Sequence, residues 1–397
     1  MTTRPANCVI AAAVKRLMAK KRKIRADFRK NRAIRARRTS WTRSFQQHGF
    51  EDEAPLLNER ISGKGDLTRR RTVTGNQAGN DEQPGLGVQL DVDLQCCRPG
   101  RVLAVKGLIS LVADAQGEVS RCATRRLLKT LATDQRHVVV AGDRVMFRPV
   151  EHSQPKEGII ERIEPRSRSI CRASRGRQHS IVTNVDQLLI VASIAEPRLK
   201  PNLIDRLIVA AEKGGVRPVI CINKIDLADP AAVQPLVGVY SQLGYQVLLL
   251  SAETGFGVER FQRALAHKES VVAGQSGVGK SSLLNAVDPG LKLRVEAVSH
   301  ETEKGRHTTT TAELLPLAFG GWVVDTPGIR QFQLWDVATE EVPGFFRDLR
   351  PYVSRCRFPD CTHTHEGECA VKDAVADGRI DERRYESYCH ILSDGGG

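Results

Sequence analysis

Residues 274–281 read Gly-Gln-Ser-Gly-Val-Gly-Lys-Ser and fit the phosphate-binding pattern G-x-x-x-x-G-K-[ST]. Residues 270–273, Ser-Val-Val-Ala, predict a strand before it, and residues 282–286, Ser-Leu-Leu-Asn-Ala, predict a helix after it. Glycines in such a loop let backbone N–H groups turn inward around phosphate oxygens at the start of the helix. The stretch therefore predicts a nucleotide site in an α/β domain.

The side chains of this loop have separate expected roles. Lys280 would reach the β- and γ-phosphates of the nucleotide, and the Ser281 hydroxyl would ligate Mg²⁺. The candidate phosphate-binding residues are Gly274, Gln275, Ser276, Gly277, Val278, Gly279, Lys280, Ser281 and Ser282.

A second motif indicates which base is bound. It follows the apolar run at residues 219–222 and consists of Asn223, Lys224, Ile225 and Asp226. The Asp226 carboxylate can accept hydrogen bonds from N1–H and the exocyclic amine of guanine, a pairing that adenine cannot offer. Asn223 would hold the neighbouring loops, and the aliphatic stem of Lys224 would cover one face of the ring. Together with the phosphate loop, this motif favours GTP over ATP, and an ATP-using enzyme is the alternative.

Two further segments complete a GTPase set. Ser251 and Ala252 follow the apolar run at residues 247–250 and suit backbone recognition of guanine O6. Asp-Thr-Pro-Gly follows the strand predicted at residues 322–324. We expect Asp325 to hold a Mg²⁺ water and the Gly328 N–H to sense the γ-phosphate.

The loop at residues 305–311, Gly-Arg-His-Thr-Thr-Thr-Thr, is rich in hydroxyls. Thr308 and Thr309 are candidate Mg²⁺ ligands, although β-branched residues are also natural at the start of a strand. Ile329 stands where many GTPases carry the Gln that orients water, so slow turnover that needs an activating partner is expected. His307 is the candidate to replace that Gln, and an ordinary surface histidine is the alternative.

The order of these motifs is circularly permuted. A conventional GTPase runs from the phosphate loop through the switch Thr and D-x-x-G to N-K-x-D, whereas here residues 223–226 and 251–252 come first. The site survives because it needs only loops gathered at one edge of a sheet. One hypothesis follows: the segment carrying Gly328 leads directly into the C-terminal region, so loss of the γ-phosphate would move that region.

A Cys/His cluster near the C-terminus predicts a metal site. Three thiolates and one imidazole suit tetrahedral zinc in a structural role. The four candidate ligands are Cys356, Cys361, His363 and Cys369. Possible alternates are His365, Cys389 and His390, and unrelated thiols are the competing interpretation. The other cysteines are scattered and indicate inert thiols in a reducing cytosol.

The basic charge is concentrated at the N-terminus. Residues 1–50 hold fifteen Lys and Arg against one acid, Asp27, so this segment carries the whole net charge of +14. Such a block repels itself, and we expect it to be disordered and to bind a polyanion such as RNA. A solvated tail and an organellar transit peptide are the alternatives. The chain has no run of eighteen apolar residues, so we expect no membrane span.

Four regions follow from changes in composition and pattern. Residues 1–97 predict a basic, disordered extension and a Gly-rich linker. Short alternating runs predict a β-barrel over residues 98–166. Strand–helix alternation predicts an α/β GTPase domain with a doubly wound parallel sheet over residues 167–340. Residues 341–397 predict a helical zinc-binding domain.

The motifs in this order closely resemble the RsgA/YjeQ family of circularly permuted GTPases, over about residues 98–392. The resemblance implies an OB-fold barrel, a permuted GTPase domain and a zinc domain. It also implies GTPase activity stimulated by the small ribosomal subunit and binding to 16S rRNA near the decoding region. It maps the nucleotide and zinc ligands onto family motifs and His307 onto a histidine suspected of a catalytic role. We expect a cytoplasmic monomer; the alternative is a non-catalytic RNA-binding factor stabilised by GTP.

Two features depart from the family pattern. About ninety residues precede the barrel, which is longer than we expect for the family, and the segment between Ser282 and Gly305 looks shorter. What the family resemblance implies therefore applies least to the long N-terminal extension.

Overall fold

The chain divides into two units in the computed structural model. The first comprises Met1–Arg101, Gly107–Thr133 and Arg144–Pro165, and the second comprises Val102–Lys106, Asp134–Asp143 and Arg166–Gly397. The structure describes residues 22–27, 70–77, 88–90, 92–93, 95–130, 138–151, 153–174, 177–293, 295, 312–325, 337 and 339–395.

The first unit begins with a three-stranded antiparallel sheet. Its strands are β1 (Arg22–Asp27), β2 (Arg70–Gln77) and β3 (Val88–Leu90). Ile24 lies opposite Val73, and Arg25 lies opposite Thr72. These three segments differ from the disordered extension predicted over residues 1–97. The second segment contains three consecutive β-branched residues, Thr72, Val73 and Thr74, and such residues favour strands although the charged and polar composition predicts disorder.

A five-stranded barrel follows, and all of its strand residues except Val102–Lys106 belong to the first unit. Its elements are β4 (Arg98–Lys106), β5 (Ile109–Asp114), β6 (Val119–Thr124), α1 (Arg126–Thr130), β7 (Arg144–Pro149) and β8 (Glu157–Ile163). The hydrogen-bonded order is β4-β5-β6-β8-β7, and β7 pairs again with β4, which closes the barrel. Pairing is antiparallel except between β6 and β8. This is the OB-type order, and the expected OB-type barrel is confirmed.

The second unit contains a strand–helix alternation. After the hairpin β9 (Ser169–Ser174) and β10 (Arg177–Thr183), its elements are β11 (Gln187–Ser193), α2 (Pro201–Lys213), β12 (Arg217–Asn223), α3 (Gln234–Gln242), β13 (Gln246–Leu249), α4 (Val258–Leu265), β14 (Glu269–Ala273), α5 (Lys280–Val287), β15 (Glu313–Pro316) and β16 (Trp322–Asp325). The strand order is β13-β12-β11-β14-β16-β15, parallel except for the last strand. The predicted parallel sheet is confirmed.

Alternate side chains of the central strand β11 enter two different cores. Leu188 and Ile190 pack in the core that contains residues of α2 and α3. Leu189 and Val191 pack in the core that contains residues of α4 and α5. Helices therefore cover both faces of the sheet, and the carboxyl ends of its parallel strands remain free to position loops.

The C-terminal residues form a small helical layer within the second unit. Its helices are α6 (Val342–Phe345), α7 (Arg350–Val353), α8 (Ala370–Ala376) and α9 (Glu382–Gly395). Their core includes Phe346, Val371 and Tyr388, and Val209 of α2 packs in it. Among the described residues, no helix combines the length and apolar character needed to cross a membrane.

Candidate functional site

The phosphate loop at residues 274–281 connects β14 to α5 and depends on its glycines. Gly274 and Gly279 have φ angles of +148° and +88°. A Cβ on Gly274 would lie 2.0 Å from the Val191 carbonyl oxygen, and one on Gly279 would lie 2.4 Å from the Asn223 Nδ2 atom. Only glycine fits at both positions, so the backbone N–H groups can follow a bound anion closely.

Lys280 opens helix α5 and lies over the loop. Its Nζ donates hydrogen bonds to the carbonyl oxygens of Gly274, at 3.0 Å, and Gln275, at 2.7 Å. Ser281 and Ser282 lie half-buried in the first turn of the same helix. A movable ammonium group and a hydroxyl beside a helix N-terminus are suited to a polyphosphate with a bound divalent cation.

Asn223 is the residue that joins the separate loops of this edge. It ends β12 and is 1% exposed. Its Nδ2 donates a hydrogen bond of 2.9 Å to the Val278 carbonyl oxygen of the phosphate loop. Its Oδ1 accepts a hydrogen bond of 3.2 Å from the Ala252 amide. One buried amide therefore fixes the phosphate loop, the 223–226 turn and the 251–252 turn relative to one another.

The Asp226 carboxylate is exposed and oriented. Its Oδ1 accepts a hydrogen bond from the Ser251 hydroxyl, which in turn accepts a hydrogen bond of 3.1 Å from the Thr254 amide. Ile225 is buried below it, and its amide donates to the Leu250 carbonyl oxygen at 3.2 Å. The turn thus presents a carboxylate with fixed direction, as the reading of guanine requires.

Lys224 supports the turn from the other side. Its backbone is in the left-handed region, with a φ of +61°, and its Nζ donates a hydrogen bond of 2.5 Å to the Glu196 carbonyl oxygen. The aliphatic stem of Lys224 is therefore held at the edge of the site, where it can cover a base.

The remaining predicted residues are described only in part. Asp325 is the last residue of β16, and its backbone lies opposite Glu313 of β15. Because β14 and β16 are parallel neighbours, Asp325 is on the same sheet edge as the phosphate loop. The residues His307, Thr308, Thr309 and Gly328 lie outside the described residues.

Two residues of this region, Glu196 and Asn285, are not predicted from the sequence motifs. Glu196 contributes only its backbone carbonyl oxygen, and because every residue has one, the residue type gives no indication of this contact. Asn285 lies in α5; its Oδ1 accepts from the Leu293 amide at 2.9 Å, and its Nδ2 donates to the Leu293 carbonyl oxygen at 2.8 Å. This pair of bonds fixes the chain that leaves α5. A polar residue in an otherwise apolar helical stretch was the available signal.

The predicted metal ligands converge in space. The ligand atoms of Cys356, Cys361, His363 and Cys369 all lie within 4.8 Å of one another. Nδ1 of His363 is 3.4 Å from Sγ of Cys356 and 3.5 Å from Sγ of Cys369, and the two sulfurs are 3.9 Å apart. These are the edges expected of a tetrahedral site with Zn–S bonds of about 2.3 Å and Zn–N bonds of about 2.0 Å. Burial lowers the pKa of His363, which favours the neutral imidazole that binds metal.

Hydrogen bonds hold the metal-site loop. Tyr385 donates to the His363 carbonyl oxygen at 2.8 Å, and Tyr388 donates to that of Thr362 at 2.7 Å. Burial acts to raise the pKa of Glu366, but hydrogen bonds from Thr362 and backbone amides hold this pKa well below its usual range. In the part of the chain that the structure describes, the alternates His365, Cys389 and His390 are outside the cluster.

A comparison with known proteins agrees with this arrangement. Residues 163–335 match the family model described as RsgA GTPase. The small ribosomal subunit biogenesis GTPase RsgA of Ectopseudomonas mendocina (strain ymp) is 44% identical over 288 residues, which cover 71% of this chain and 80% of the relative. The protein of the same name from Yersinia enterocolitica serotype O:8 is 38% identical over 338 residues, which cover 83% of this chain and 93% of the relative.

Two solved structures are also similar. YjeQ from Thermotoga maritima has a TM-score of 0.62 and 37% identity, covering 76% of this chain and 99% of that one. YloQ, a circularly permuted GTPase, has a TM-score of 0.59 and 29% identity, covering 77% of this chain and 98% of that one. The resemblance expected from the motif order is thereby confirmed.

Proposed function

The chain belongs to the RsgA GTPase family. We propose that it hydrolyses GTP to GDP and phosphate during late maturation of the small ribosomal subunit, and that the small subunit stimulates this hydrolysis. The observation that carries the proposal is the Asn223 side chain, which contacts both the phosphate loop and the 251–252 turn. A phosphate-binding loop and a guanine-reading carboxylate are thereby held in one site.

Each described residue has a binding or positioning role in this proposal. The amides of residues 274–281 and the Lys280 ammonium bind the β- and γ-phosphates, so that negative charge developing during phosphoryl transfer is stabilised. Asp226 accepts from the guanine edge, with Ser251 holding its direction. Asn223 fixes the distance between the base and phosphate subsites.

The donor set also fits a magnesium ion. The Ser281 hydroxyl in the first turn of α5 would supply an oxygen donor, which Mg²⁺ prefers, and Asp325 at the end of β16 is the residue proposed to hold a Mg²⁺ water. When bound, Mg²⁺ neutralises charge on the β- and γ-phosphate oxygens. Thr308 or Thr309 is the proposed further ligand, Gly328 the proposed γ-phosphate sensor, and His307 the proposed residue that orients water.

Zinc is the proposed occupant of the Cys/His cluster. Three sulfurs and one imidazole nitrogen fit it, and all four positions are supplied by the protein, which is typical of a structural site. Zinc there would fix the loop between α7 and α8, where few large apolar side chains are available.

We further propose that the chain acts in the cytoplasm as a monomer and contacts 16S rRNA, with residues 1–50 as a basic RNA-binding arm. Deleting this segment should weaken binding to the small subunit and flatten its salt dependence, because fewer phosphate contacts release fewer counterions. An unchanged salt slope would reduce the segment to a solvated tail.

Phosphate release under multiple turnover tests the substrate. The full chain should release phosphate from GTP and not from ATP, and Lys280→Ala should abolish the release. No release from GTP, either alone or with ribosomal subunits, would favour the alternative of a GTP-stabilised RNA-binding factor.

A further inference from the structure

A buried arginine joins the C-terminal helical layer to helix α2. Arg384 of α9 has a side chain that is 2% exposed. Its Nε and Nη2 donate to the Asp348 carboxylate at 2.9 and 3.0 Å, and its Nη1 donates to Oδ1 of Asp205 in α2. That same Oδ1 accepts a hydrogen bond of 2.7 Å from the Tyr240 hydroxyl. Because these charges are buried, losing any one partner leaves another uncompensated.

Further contacts fix α2 at both of its ends. Near the first turn, the Ser387 hydroxyl donates to Oδ1 of Asn202 at 3.0 Å. At the last turn, Nη2 of Arg347 lies 2.7 Å from Oε1 of Glu212. Residues that follow residue 340 therefore contact α2 on the side away from its core with the sheet strands, and Arg384 is the most buried of the charged contacts.

The segment that enters α2 lies beside the phosphate loop. Leu199, Lys200 and Leu203 line a small cavity together with Gln275 and Val278 of the phosphate loop. Three residues before Leu199, the Glu196 carbonyl oxygen accepts the hydrogen bond from Lys224. A shift of α2 would therefore move the support of Lys224 and the packing of the phosphate loop.

We propose that Arg384 is a positioning residue for the guanine nucleotide site. It acts through Asp205 and α2, which hold the 196–200 segment against Lys224 and the phosphate loop. The inference rests on the proposed function in taking residues 223–226 and 274–281 as the guanine nucleotide site. The C-terminal helical layer would then contribute to nucleotide binding through Arg384, independently of the proposed metal site in the same layer.

The first test is the dissociation constant of the full chain for a fluorescent GDP analogue. Arg384→Gln should weaken binding about fivefold, within the range for residues that act through a packed element. Arg383→Gln is the matched control: it is the neighbouring residue of α9, is 42% exposed and pairs with Asp381. It should leave the affinity unchanged. Equal affinity in the parent chain and both variants would overturn the proposal.

A second measurement separates positioning from general loosening. In a Lys224→Ala background, Arg384→Gln should cause a smaller loss of affinity, because the contact through which it acts is already absent. A loss as large as in the parent background would contradict the route through Lys224. If Arg384→Gln does not fold, Asp348→Asn, which keeps the side-chain shape, should give a smaller loss in the same direction, and no loss would overturn the proposal. Failure of the parent chain to bind GDP would instead reject the proposed function.

Discussion

The Asn223 Nδ2 atom lies 2.9 Å from the Val278 carbonyl oxygen, although the two residues are 55 positions apart and belong to motifs in reversed order. The contact depends on parallel strands whose carboxyl ends share one sheet edge, and not on the order in which the chain visits them. Circular permutation therefore leaves the geometry of the site intact.

Asn223→Ala should weaken GDP binding about tenfold to a hundredfold, because it leaves the buried Val278 carbonyl oxygen and the half-buried Ala252 amide without this partner. The matched control is Gln187→Ala at the opposite end of the sheet, where the buried side chain donates to Ala264 and Ser270. Titration with a fluorescent GDP analogue should show a loss only for Asn223→Ala, whereas both variants should melt at lower temperature. Equal affinities would contradict the bridging role.

Asp226→Asn should shift base preference from guanine to xanthine nucleotides, because the amide donates where the carboxylate accepts. Competition between GDP and XDP measures this preference directly. Asp229→Asn is the control, since Asp229 is a nearby exposed acid whose carboxylate accepts a hydrogen bond from the Ala231 amide in its own turn. Retention of guanine preference in Asp226→Asn would show that another group reads the base.

Gly279→Ala should abolish nucleotide binding without unfolding the domain. Its Cβ would lie 2.4 Å from Asn223 Nδ2, and its φ of +88° is unfavourable for alanine. Gly238→Ala, in α3, has nothing within 4 Å of the added Cβ and should be neutral or stabilising. Calorimetric GDP titration measures the affinity of both variants. Wild-type affinity in Gly279→Ala would show that the loop does not need glycine at residue 279 to bind phosphate.

Cys361→Ala should lose the proposed zinc ion and lower the melting temperature. Cys389→Ala should retain one zinc per chain, because Cys389 is similarly half-buried but outside the cluster. Elemental analysis of the purified variants measures the metal content. A chelator should lower the melting temperature of Cys389→Ala and not that of Cys361→Ala; zinc retained in both would argue against the four-ligand site.

The sequence could predict the sheet edge because its motifs follow apolar strand patterns and carry their own turn chemistry. Glycines at 274 and 279 and the polar pair Asn223 and Asp226 are local signals with a known geometric meaning. The cysteine spacing likewise indicated the ligands that the fold brings together. Phosphate binding, base recognition and metal binding each restrict which residue types can occupy the positions involved.

The role of Arg384 could not be predicted from the sequence. Arg383 and Arg384 are adjacent and identical in type, yet one is 42% exposed and the other 2% exposed, because successive helix residues point about 100° apart. Which of them faces Asp205 depends on how α9 packs on α2. The strands at residues 22–27 and 70–77 were not predicted, because the charged and polar composition of residues 1–97 outweighed the short β-branched run at residues 72–74.

The proposed GTPase activity is tested most directly by the rate of GTP hydrolysis measured with added small or large ribosomal subunits. The proposed function predicts slow phosphate release from the chain alone, an increase of at least about tenfold with small subunits, and no increase with large subunits. Equal stimulation by both subunits, or none by the small subunit, would contradict it.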